Sequence, residues 1–245
     1  MARLYRLHVP VGLFVLGLAM AGLAMACGDR DDNADTGSGG ADVVLAGPPS
    51  AYAPALEDLE GLYEVNRSET YSLSQATFAT LAGGPFPDTK AAEDFAKEWG
   101  YQGGFTVLYQ PDGLLAGVLQ GRYFITVQVH QFSSTEGAKE LFGKFNEQGD
   151  TTRGSERVKA DPVGNQSGAW AFVQGTVGNS DTVGIYHRVV FRRGNIVGVV
   201  ITYGGEPYMT IERALAVARI MDERATGVRE AVEPTPIARP TSPAF

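Results

Sequence analysis

The stretch TVGIYHRVVFRRGNIVGVVITY, Thr182 to Tyr203, constrains this chain more than any other. It is rich in β-branched and aromatic residues. It is interrupted by Gly194-Asn195, a pair that suits a two-residue type II′ hairpin turn, which needs glycine first. Such a turn sets the register, pairing Arg193 with Ile196 and every further pair outward from it. Phe191 then faces Gly198, Val189 faces Val200 and His187 faces Thr202 on one side. On the other side Arg192 meets Val197, Val190 meets Val199, Arg188 meets Ile201 and Tyr186 meets Tyr203. Neither side is cleanly polar, so the sheet is expected to be covered on both faces or to curve around something. Phe191 opposite a glycine predicts a ring packed into the space that the missing side chain leaves.

A second strand is predicted at Arg122–Phe132, where Tyr123, Ile125, Val127 and Val129 alternate with Thr126, Gln128 and His130. Weaker strands are expected at Phe105–Tyr109, Leu114–Leu119 and Ala169–Gln174. Helices are predicted over Thr89–Trp99, Ser134–Glu147 and Ile211–Arg224, each with an apolar stripe at helical spacing. Ser133 and Glu136 have the spacing of a capping box for the second of these. A short helix near Leu73–Leu81 would be capped by Ser72 and ended by Gly83-Gly84. Strands run consecutively and are not alternated one-for-one with helices. The expected class is therefore α+β, a mainly antiparallel sheet packed with about three helices in a single domain over 56–227. Two segments, Gly121–Phe145 and Gly194–Ile220, both run strand, loop, capped helix, which raises an internal duplication as one reading. The element order resembles the PsbP/Mog1-type α/β/α sandwich; no site residue follows from that resemblance.

The first 27 residues have another character. Arg3 and Arg6 precede an apolar run from Val9 to Ala26, and small residues lead up to Cys27, the sole cysteine. That is the layout of a secretory signal; its apolar run is also long enough to serve as an uncleaved anchor. The end LAMAC resembles the lipobox of bacterial lipoproteins, with Ala26 before the cysteine and Leu23 one place further back than the pattern has it. The resemblance implies that residues 1–26 are a signal peptide and that Cys27 becomes a lipid-bearing N-terminus. Two or three acyl chains, at about 0.8 kcal/mol per buried CH₂, would hold the protein to a membrane firmly. Either reading places the domain outside the cytoplasmic membrane. From Cys27 to residue 55 the chain is acidic and rich in Gly and Pro, which predicts a flexible tether. Its run DRDDNAD is no calcium loop, because Ala34 stands where the loop needs glycine and Gly40 where it needs glutamate. After residue 227 a tail carrying Pro234, Pro236, Pro240 and Pro243 is expected to be disordered.

With one cysteine no intramolecular disulfide exists, so the fold rests on its core. The formal net charge of −8 becomes −10 once the two leader arginines are left out, which excludes non-specific nucleic-acid binding by a basic field. There is no HExxH, no cysteine-rich metal site, no phosphate-binding loop, no dinucleotide fingerprint and no G-x-S-x-G. No cofactor, metal or catalytic residue is therefore assigned. The candidate site is a small-ligand surface made by Thr126, Gln128 and His130 on one strand with His187 and Thr202 on the hairpin. The expected function is a non-catalytic binding module for a small or apolar molecule, tethered outside the membrane by lipid on Cys27. An interaction lipoprotein that docks an envelope protein is the alternative.

Overall fold

The computed structural model describes residues 42–60, 63–81, 84–112, 122–176 and 182–230. Seven strands, β1 (Tyr63–Leu73), β2 (Tyr101–Pro111), β3 (Arg122–Phe132), β4 (Ser155–Arg157), β5 (Gln166–Thr176), β6 (Val183–Arg193) and β7 (Ile196–Gly205), form one sheet. Their spatial order is β1-β2-β3-β7-β6-β5-β4, and every neighbouring pair is antiparallel. Helices α1 (Gln75–Ala79), α2 (Thr89–Glu98), α3 (Thr135–Thr151) and α4 (Ile211–Ala225) pack on it. The described residues form a single α+β domain.

The β6–β7 hairpin has the predicted register from Arg193↔Ile196 outward to Tyr186↔Tyr203. Gly194 has φ +55°, and among the described residues no non-glycine residue, Asn195 included, has a positive φ, as the II′ turn requires. Strand parity then distributes the core. Ile125, Val127 and Val129 of β3 join Val189, Phe191, Ile196 and Val200 under α4, whose buried stripe includes Ala214, Leu215, Val217, Ala218 and Met221. On the opposite face Val190, Val197, Val199, Phe132 and Trp170 pack with Phe78, Phe95, Leu141, Phe142 and Phe145 from α1, α2 and α3. Burying each large apolar side chain contributes about 1.5–3 kcal/mol, and both faces are covered as the doubly apolar hairpin demands.

Four expectations are corrected. The tether does not extend to residue 55. From Asp42 onward the chain is laced to the sheet: Asn195 Oδ1 accepts from the Leu45 backbone N–H at 2.6 Å, and Gln131 Nε2 donates to the Leu45 carbonyl at 2.8 Å. Ala51, Tyr52 and Ala53 are buried, so the domain boundary lies no later than residue 42. The N-cap of α3 is Ser134, not Ser133. Its hydroxyl accepts from Gly137 N–H at 3.2 Å, while the Ser133 backbone N–H bonds to the Gly100 carbonyl. The short helix α1 starts from Ser74, whose side chain and that of Thr77 satisfy each other's backbone N–H; Ser72 lies within β1. Finally, α3 follows β3 onto one face and α4 follows β7 onto the other, so the two hairpin–helix halves are not related by a simple two-fold. The strand expected at Leu114–Leu119 lies outside the described residues, as do Cys27, its leader and the tail from residue 231.

Candidate functional site

The five predicted site residues do not line one concavity. Between β3 and β7 the pairing is Ile125↔Thr202, Thr126↔Ile201, Gln128↔Val199 and His130↔Val197. Thr126, Gln128 and His130 therefore face the α1–α3 side, while His187 and Thr202, paired with each other, face the α4 side. The sheet separates the two groups.

In the first group Gln128 and His130 are buried and Thr126 is half-buried. His130 is fully buried among Phe78, Tyr101 and Phe145, with Nδ1 3.4 Å from Tyr101 Oη and Nε2 3.4 Å from Gln128 Oε1. Burial pushes its pKa down to about 3, which keeps the imidazole neutral at physiological pH. It has no route to a ligand.

The second group lies next to a cavity. Ile125, the cross-strand partner of Thr202, forms part of its wall, with Leu59, Ala216, Val217 and Ile220 completing an apolar floor. Asp58, Glu60, Tyr208, Thr210, Glu212 and Arg213 supply the polar part of the lining. The space is about 410 Å³.

Most charges around the cavity are already paired. Asp58 bonds to the buried Arg224 and to Arg229, and also accepts from Ala55 N–H. Burial opposes ionisation of Asp58, but those hydrogen bonds and the two guanidinium charges outweigh it and hold its pKa below the usual carboxylate range. Arg213 donates to the Glu60 carbonyl at 2.9 Å and to its carboxylate at 3.3 Å. Glu212 accepts from Thr210 and from its own backbone at the start of α4, which lowers its pKa. Behind the wall, Thr202 Oγ1 and His187 Nδ1 are buried without a hydrogen-bond partner. Burial pulls the His187 pKa down, against the opposing pull of Glu206 and Glu212. These unpartnered atoms are the kind of cost that natural cores rarely retain.

The sequence reading missed this cavity because its walls come from distant segments: residues 58–60, one β3 residue, the β7–α4 loop and α4. The only sequence signal was the His187–Thr202 pair. Among the described residues no group of three or more His, Cys, Asp or Glu is placed to hold a metal ion, and no helix is long and apolar enough to cross a membrane.

The chain matches no protein-family model and no curated protein. Among solved structures it is similar to the extracellular domain of PknH from Mycobacterium tuberculosis, at 10% identity and a TM-score of 0.43, across 75% of this chain and 98% of that one. A likeness of that size leaves the function to be read from the site itself.

Proposed function

We propose that this protein is a lipid-anchored, extracytoplasmic binding module that holds a small, largely apolar molecule without transforming it. The α4 cavity carries the reading. At about 410 Å³, with an apolar floor and a few polar groups, it falls within the range of small-ligand sites, roughly 300–1,000 Å³. Glu60 is paired with Arg213, and Asp58 with Arg224 and Arg229, so the lining offers orientation more than a free nucleophile or base. The anchor rests on the lipobox-like end at Cys27 and the signal-type leader before it.

A neutral fluorescent probe, N-phenyl-1-naphthylamine, tests the cavity. Ala216 is exposed on α4 and lines the space, so Ala216→Trp fills it while leaving the core intact. Wild type is expected to bind the probe, and Ala216→Trp to bind it at least tenfold more weakly with an unchanged Tm. Equal binding by both, or no binding by wild type, overturns the cavity as the site. The anchor is tested separately by the mass of the mature N-terminus and by Cys27→Ser, which should release the protein from membranes.

A further inference from the structure

On the α1–α3 face, four rings stand in one row across four strands. Phe124 of β3 pairs with Tyr203 of β7, Tyr203 with Tyr186 of β6, and Tyr186 with Phe172 of β5. Successive ring centroids are 5.5, 4.3 and 4.9 Å apart, with interplanar angles of 38°, 26° and 7°. All four are half-buried. Rings stacked along a row turn their edges outward. Those edges carry the positive part of each ring's quadrupole, so they favour the π face of a flat aromatic molecule laid over them.

Beside this row stands Arg188, one pleat further along β6, between Trp170 and Ile201. Its guanidinium lies 5.5 Å from the Trp170 ring, which takes Arg157 on another contact at 5.0 Å. Arg188 Nη1 donates to Gln148 Oε1 at 2.7 Å; its Nε is buried with no partner. Among the described residues every other buried or half-buried arginine has a carboxylate: Arg192 has Asp42, Arg193 Asp222, Arg213 Glu60, Arg224 Asp58 and Arg229 Glu223. Arg188 has none. Burial pushes its pKa down and no neighbouring carboxylate pulls it back. A half-buried cation without a counter-ion is costly, and here the missing partner is an anion.

We infer that Arg188 and the Phe124–Tyr203–Tyr186–Phe172 row form a binding site for a small aromatic carboxylate. The carboxylate takes the Nε–Nη2 edge of Arg188, the edge left after Nη1 is committed to Gln148 and the one whose parallel N–H groups match a carboxylate. The ring system lies on the exposed edges of Tyr186 and Tyr203. Because Nε is closed to water in the free protein, Arg188 must turn slightly outward to receive both oxygens. The site is on the opposite face from the α4 cavity and does not depend on it.

The test is calorimetric titration of the full chain with 2-naphthoate and with its uncharged amide, 2-naphthamide. Wild type is expected to bind naphthoate at least tenfold more tightly than naphthamide. Arg188→Gln should lose at least tenfold in naphthoate affinity, and Arg188→Lys should recover only part of it. Tyr186→Leu, which keeps the guanidinium, should weaken naphthoate severalfold. The ligand-free Tm of Arg188→Gln should equal or exceed that of wild type, because the variant removes a charge with no partner. Naphthoate should remain bound to Ala216→Trp, which separates this site from the cavity. Equal affinity for acid and amide, undiminished binding by Arg188→Gln or by Tyr186→Leu, or an Arg188→Gln protein that is destabilised or unfolded would each overturn the inference.

Discussion

The ring of Phe191 occupies the place that a side chain on Gly198 would need: a Cβ there would lie 2.3 Å from Phe191 Cε1 and 2.6 Å from Cζ. The two are cross-strand partners near the turn of the β6–β7 hairpin, and Phe191 is fully buried under α4. Gly198→Ala is therefore expected to cost about 1–3 kcal/mol by overpacking. Phe191→Leu should cost stability alone but combine favourably with Gly198→Ala. Urea unfolding of the two single variants and the double variant measures the coupling. Strict additivity would contradict the packing described.

His130 makes stability depend on pH. Its folded pKa of about 3 lies below the unfolded value of about 6.5, so acid favours the unfolded chain, which binds the proton first. The contribution is present in full above about pH 6.5 and declines as pH falls toward about 3, by at most about 1.4 kcal/mol per pH unit. Urea midpoints at pH 7 and pH 5 should show the decline, and His130→Leu should flatten it. His187, also shifted down by burial, adds to the slope in the same direction.

Asp58 and Arg224 form a buried ion pair that ties the 3₁₀ turn before β1 to the end of α4. Asp58→Asn leaves Arg224 buried without its carboxylate and should cost about 3–5 kcal/mol. Because the folded pKa of Asp58 is depressed, its contribution is present above about pH 3.9, its unfolded value, and is lost as pH falls through the folded one. Acid titration of wild type against Asp58→Asn, followed by circular dichroism below pH 4, checks the sign.

Asn195 is fully buried and holds two segments at once. It accepts from Leu45 N–H and donates to the Phe132 carbonyl at 2.7 Å. Asn195→Ala should cost about 2 kcal/mol or more, because both backbone groups lose their partner. Hydrogen exchange should show Leu45 and its neighbours losing protection before the strands do. A chain shortened to begin at residue 56 should be less stable still, since Tyr52 and Ala53 leave the core.

How much of this was legible in the sequence depends on how each contact is specified. The β6–β7 register was readable because two turn residues determine it. The β3–β7 register was not, because a helix and three strands intervene and no local turn links the two strands. Its parity decides everything about the candidate site: a slip of one residue would have put Thr126, Gln128 and His130 on the same face as His187 and Thr202. β1 escaped notice because YEVNRSETYSL is polar, half exposed and broken by a register shift between Asn66 and Tyr71. The segment from Asp42 was read as tether because its composition is that of a linker. Its order comes from side chains more than eighty residues away, among them Gln131, Arg192 and Asn195.

The placement of that segment also gives the domain a direction. The chain enters at the β6–β7 turn, where Arg192 holds Asp42 and Val43 lies against Gly194. Tyr186 and Tyr203 stand about 25 Å away along the same two strands, at the end where the chain leaves β7 for Tyr208 and the mouth of the cavity. A pull transmitted through residues before Asp42 is borne by the turn, as a flag is borne by its hoist edge. Among the described residues, both candidate sites lie toward the far end of these two strands, away from the point where Asp42 is held.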